Sequence, residues 1–123
     1  MSDYATRRST MVDTQIRPAD VTKFPIIEAM LSIRRERYVL DYQREAAYAD
    51  ALINLGGGRH ILEPRTFGKM LDSLDIQSDE LVLDVGYGLG YSSAVLGHFA
   101  EAVVGIEENE DLATEAEAVL VSE

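Results

Sequence analysis

The 123-residue sequence contains no cysteine. That absence excludes a disulfide framework, a thiolate nucleophile and a zinc-thiolate site, and it suits a cytoplasmic protein. Long apolar runs are also missing, since none approaches the roughly 18 residues that a membrane span requires. The first ten residues are polar and lack the apolar segment of a signal peptide. Basic residues vanish toward the C-terminus: after Ala100 there are eight acids and no Lys or Arg, whereas eight of the 11 basic residues precede residue 46. The formal net charge is −11, the wrong sign for neutralising phosphate, so neither nucleic acid nor an anionic membrane is an expected partner. The acidic stretch reads as a solvated helix face. No Gly-Lys-Ser/Thr follows either glycine cluster, which excludes a P-loop. His60 and His98 have no carboxylate or second histidine placed near them by spacing. They read as polar surface or loop residues, and no metal ligands or catalytic triad are expected.

What is present suits one small domain, with 46% hydrophobic and 27% charged residues. Asp20 or Thr22 can cap a helix running to about Ile33, with Pro25 in its first turn and Ile26, Ile27, Met30 and Leu31 forming an apolar face. Arg34, Arg35 and Arg37 then follow as cations at a helix C-terminus, favourable to the dipole and in need of no other role. Residues 42–55 read as short helix plus loop, and Gly56-Gly57-Gly58 as a flexible break. Pro64 opens a further helix carrying Phe67, Met70, Leu71 and Leu74 at helical spacing, weakened at Gly68. From residue 80 the order is strand, helix, strand, helix. Leu81-Val82-Leu83 lacks alternation and predicts a strand buried on both faces; residues 102–106 predict a second. Asn109 can cap the final helix, with Leu112, Ala116, Val119 and Leu120 facing inward. The expectation is an α/β fold: a helical region over residues 1–78, then the first βαβα part of a parallel, right-handed crossover sheet over residues 79–123.

The turn after the first of these strands carries the chemistry. It reads Asp84-Val85-Gly86-Tyr87-Gly88-Leu89-Gly90-Tyr91. Glycines at alternate positions let a backbone approach a ligand that a Cβ would repel. Open α/β sheets bind ligands outside the C-terminal ends of their strands. Glu107 ends the next strand, 21 residues after Gly86, a spacing at which a carboxylate can accept hydrogen bonds from ribose hydroxyls. A dinucleotide fingerprint needs a third glycine where Tyr91 stands, and Asp84 would repel a pyrophosphate. The same carboxylate would welcome a cationic amino group. S-adenosylmethionine has a ribose, an amino group, a sulfonium and no phosphate, and it fits better than NAD.

From about Met11 onward the chain resembles the protein-L-isoaspartate (D-aspartate) O-methyltransferase family. The resemblance rests on residues 11–17, on Ala29-Met30 and residues 35–39, on Ala47-Tyr48-Ala49-Asp50, on residues 82–96, and on Val104-Gly105-Ile106-Glu107. It implies a Rossmann-like methyltransferase fold, S-adenosyl-L-methionine as cofactor, and Asp84, Gly86, Gly88, Gly90 and Glu107 as its contacts. It also implies methyl transfer to the carboxylate of isoaspartyl-containing peptides or proteins, the first step of protein repair. Such a carboxylate is ionised at neutral pH, so no general base is needed and no catalytic acid–base residue is assigned. The family's substrate loop is Gly-x-Gly-Gln-Thr-Ile-Ser-Gln-Pro. Here the segment within residues 55–64 has Arg59 for Gln, His60 for Thr, Leu62 for Ser and Glu63 for Gln. Arg59 can attract a carboxylate. A methyltransferase with another acceptor, or a protein that binds cofactor or partner without catalysis, fits the same changes. A complete sheet of this kind has several more strands. The expectation is therefore an incomplete sheet in a truncated relative, with an open edge available for self-association.

Overall fold

The computed structural model describes residues 3–122. The chain begins with α1 (Tyr4–Met11), which the polar N-terminus did not suggest. Its signal is local: Asp3 caps it by accepting from the Thr6 amide at 3.1 Å. The helix runs into a π-helical turn over Val12–Ile16, which turns Val12, Gln15 and Ile16 inward together. Helix α2 spans Phe24–Ser32, with Pro25 in its first turn as expected. Neither expected cap serves it: Lys23 holds the N-cap position, while Asp20 takes a left-handed conformation that closes the preceding turn. The cationic run also lies apart from α2. Arg35–Tyr38 forms its own 3₁₀ turn, and the final turn of the helix contains no basic residue.

A second 3₁₀ turn, Asp41–Ala46, leads to the hairpin β1 (Ile53–Gly56) and β2 (Arg59–Ile61). The strands are antiparallel, with Asn54 opposite His60 and Gly56 opposite Arg59. Gly56, Gly57 and Gly58 all hold positive φ, between 58° and 88°. The triple glycine is thus a defined hairpin turn rather than a flexible break, because three consecutive left-handed residues are sterically open to glycine alone. Helix α3 (Pro64–Leu74) follows, and Gly68 has a packing reason. A Cβ there would sit 3.3 Å from Ile16 Cδ1 and 3.6 Å from Val21 Cγ2, so the missing side chain lets α3 approach the π turn closely.

Strand β3 (Leu81–Val85), helix α4 (Tyr91–Phe99), strand β4 (Ala102–Ile106) and helix α5 (Glu110–Ser122) complete the chain. β3 and β4 pair in parallel, Leu81 with Ala102 through Val85 with Ile106. Asn109 Oδ1 accepts from the Leu112 amide at 3.1 Å, the expected cap of α5. The expectation of strands buried on both faces is corrected. Val82 and Val103 pack beneath α4, but Leu81, Leu83 and Val85 are 73%, 59% and 70% exposed, and Val104 and Ile106 are exposed with them. An apolar run marks strands whose two faces both suit apolar cover, and here only one face receives it among the described residues. One core runs from α1 to α4: Met11, Ile16, Met30, Tyr38, Ile53, Leu71, Tyr91 and Val95 belong to a single buried cluster. No helix among the described residues is long and apolar enough to cross a membrane.

Candidate cofactor and acceptor cleft

The glycine turn and the hairpin, distant in sequence, face one another across a cleft of about 260 Å³. Asp84, Gly86, Gly88, Tyr91 and Ser92 line one wall; Arg59, His60 and Leu62 line the other. The turn's geometry follows from its glycines. Gly86 and Gly88 hold φ of +71° and +63°, and a Cβ on either would project toward the hairpin, 3.7 Å from Arg59 Nη2 and 3.4 Å from Leu55 Cδ1. Both positions thus keep open a groove that a side chain would fill. Gly90 answers a different demand. Its φ is +100°, and a Cβ would lie 3.3 Å from that of Ala116 and 3.2 Å from Leu120 Cδ1, so it admits α5 rather than facing the cleft.

Two carboxylates flank the turn. Asp84 Oδ2 accepts from Ser92 Oγ at 2.6 Å and from Ser93 Oγ at 2.8 Å, which fixes the carboxylate at the mouth of α4. Glu107, at the end of β4, is tied to three elements. Its Oε1 accepts from the Gly88 amide at 2.7 Å and its Oε2 from the Asn109 amide at 2.9 Å. Arg59 Nη1 donates to Oε2 at 2.9 Å, and Nη2 donates to Oε1. The Glu107 side chain is fully covered. Its pKa is lowered to about 2, first by the Arg59 hydrogen bonds and further by the two amides, against the opposing effect of burial. The Glu107 carboxylate is therefore ionised, held in place and already engaged by the arginine and two amides.

Arg35 is a residue that sequence reasoning passed over. Its residue surface is wholly buried. Nε donates to the Ala47 carbonyl at 2.5 Å and Nη2 to the Leu62 carbonyl at 3.0 Å, so one guanidinium fastens both ends of the hairpin region. Its charge lies 4.7 Å above the ring of Tyr91, which packs in turn against Tyr38 and Phe67. Nothing in a run of four charged residues marks which arginine turns inward. Ser92 and Ser93 were legible in principle, since hydroxyls in the first turn after an acidic strand end are a local signal. His98 sits outside the cleft, with Nε2 3.7 Å from Glu28 Oε1. Among the described residues no group of His, Cys, Asp and Glu could hold a metal ion.

The donor set suits a phosphate-free nucleoside bearing a cationic amino group: a carboxylate at each strand end and no clustered cations on the glycine turn. A family model described as protein-L-isoaspartate(D-aspartate) O-methyltransferase matches residues 6–123. The chain belongs to that family. It is 37% identical over 120 residues to the protein-L-isoaspartate O-methyltransferase of Syntrophus aciditrophicus, covering 98% of this chain and 55% of that relative. It is 38% identical over 107 residues to protein-L-isoaspartate O-methyltransferase 2 of an Anaeromyxobacter species, covering 87% and 44%. The chain spans about half the length of these curated relatives. A solved protein-L-isoaspartate O-methyltransferase shares the fold with a TM-score of 0.81 at 20% identity, over 94% of this chain and 38% of that one. A second, from Plasmodium falciparum in complex with S-adenosyl-L-homocysteine, aligns at 0.72 and 19% identity, over 96% and 55%. The two-stranded parallel sheet with its helices is thus part of a Rossmann-like methyltransferase fold.

Proposed function

We propose that the chain binds S-adenosyl-L-methionine along the glycine turn and presents it to the carboxylate of an isoaspartyl-containing peptide or protein. The observation that carries this reading is the shared cleft, with a cofactor-type turn on one wall and the family's substrate-loop segment on the other. In it, Glu107 receives the ribose hydroxyls, Asp84 faces the amino group, and Gly86 and Gly88 let the backbone close on the ligand. Bound there, the cofactor would supply an electrophilic methyl group for an acceptor carboxylate. The acceptor is an anion already, so the chain's task is alignment and exclusion of water. Tyr91, Phe67 and Met70 supply an apolar floor, and Arg59, His60 and Leu62 stand on the acceptor side. Gly90 contributes by seating α5.

Calorimetric titration with S-adenosylmethionine, S-adenosylhomocysteine and NAD tests the cofactor. Heat from the first two and none from NAD is expected; silence from both adenosyl ligands would sink the reading. Transfer of labelled methyl to an isoaspartyl peptide tests the acceptor. A cytoplasmic setting accords with the cysteine-free sequence. The apolar face of Leu81, Leu83, Val85, Val104 and Ile106 supports self-association at the open sheet, which Leu83→Lys should abolish in sedimentation equilibrium.

A further inference from the structure

Arg59 stands where two hollows meet. On one side lies the cleft of Gly86, Tyr87, Ser92 and Leu62; on the other is a hollow beside Leu40, Gly57, Asn109 and Leu112. Arg59 and Leu55 are the two residues that line both. The first hollow, about 260 Å³, is smaller than the roughly 300–1,000 Å³ of small-molecule sites, so an adenosyl amino acid needs the two joined. At the boundary between them the Arg59 guanidinium spans Glu107 with both Nη atoms and also donates from Nη2 to the Gly86 carbonyl at 3.2 Å. Each Glu107 oxygen thus holds one backbone amide and one arginine nitrogen. A ribose diol reaching that carboxylate has to take the arginine's place.

We propose that Arg59 is a specificity residue used twice: it holds Glu107 until the cofactor ribose displaces it, and then receives the acceptor's carboxylate. The proposal rests on the cofactor reading above. Displacement leaves a guanidinium tethered to β2, beside His60 and Leu62. Arg35, the other cation lining the cleft, is wholly buried and held by two carbonyls, so Arg59 is the accessible cation there among the described residues. A planar, two-pronged donor suits an acceptor carboxylate as well as it suits Glu107. The hand-over orders the ligands, cofactor first and anionic acceptor second. It also places a charged group at a position where the family's loop has an uncharged glutamine.

The test uses the full chain, Arg59→Gln and Arg59→Lys, with folding checked by circular dichroism. S-adenosylhomocysteine is titrated by calorimetry at low and high salt. Arg59→Gln should bind it about tenfold more tightly than the parent, because no ion pair must break. Parent affinity should rise with salt as the pair is screened, Arg59→Gln should show no such rise, and Arg59→Lys should fall between. An isoaspartyl peptide is then titrated into each chain saturated with S-adenosylhomocysteine. The parent should bind it at least about tenfold more tightly than Arg59→Gln. Equal cofactor affinity in parent and Arg59→Gln overturns the first role, and equal peptide affinity overturns the second, in both cases leaving the cofactor reading intact. Silence toward S-adenosylhomocysteine from every variant brings down the cofactor reading itself, and the hand-over with it.

Discussion

Tyr48 donates its phenolic hydrogen to Glu36 while accepting one from Arg8 Nε at 2.9 Å. Arg8 also reaches Glu36 directly, with Nη2 3.2 Å from Oε1. The hydroxyl therefore closes a three-membered polar cluster between α1 and the two segments, residues 35–39 and 47–50, that carry much of the family resemblance. Burial holds the Tyr48 phenol protonated well above the usual tyrosine range, so it donates at every physiological pH. Tyr48→Phe removes the closing group and leaves Glu36 short of a donor. A loss of about 1–3 kcal/mol is expected from urea unfolding, with a smaller loss in a Glu36→Gln background.

Gly105 lies directly under the Tyr87 ring. A Cβ there would meet Tyr87 Cδ2 at 2.6 Å, closer than real contacts allow. Gly105→Val should therefore displace Tyr87 from the sheet and destabilise the chain by about 1–3 kcal/mol. Adding Tyr87→Ala should return part of that loss. A double-mutant cycle by thermal unfolding measures the coupling, and strict additivity would contradict the clash.

Glu107 makes stability depend on pH in a defined window. Its folded pKa lies well below that of an exposed glutamate, so its contribution is complete above about pH 4.5 and is lost as pH falls toward 2. Arg59 is the first cause of the shift, so Arg59→Gln should reduce this contribution. The stability gap between parent and Arg59→Gln should be steady from pH 7 to 5 and close between pH 4.5 and 2. Urea midpoints across that range are the check.

Leu62 is an exposed residue of the cleft wall, and only its carbonyl is held, by Arg35. Leu62→Ser leaves that carbonyl in place and should change stability by less than about 1 kcal/mol. Under the proposed function it restores an acceptor-side hydroxyl and should raise labelled methyl transfer to an isoaspartyl peptide. A stable variant with no gain would place the limiting step elsewhere.

Much of the fold was legible because its signals are local. Asn109 caps α5, Pro25 and Pro64 each open a helix, and the glycine turn follows a strand at its C-terminal end. The site was legible in part. Asp84, Gly86, Gly88 and Arg59 meet at one cleft, and Glu107 is bound to its wall. What escaped depends on tertiary placement. Arg35 is chemically identical to the arginine before it, and only the fold decides which becomes buried. Leu81 and Leu83 read as interior residues because composition reports what a face can tolerate, not whether anything lies against it. Helix α1 was missed because a polar stretch with one capping aspartate carries little periodic signal.

The single covered face of the β3–β4 ladder has a consequence for cooperativity. The hairpin wall is anchored into a densely packed helical core, whereas the glycine turn hangs from two strands with one packed side. Local opening should start in the strands, and their amides should lose hydrogen-exchange protection before those of α2 or α3. A ligand spanning the cleft would fasten the looser wall to the firmer one, so the energy of binding would appear as order in the sheet.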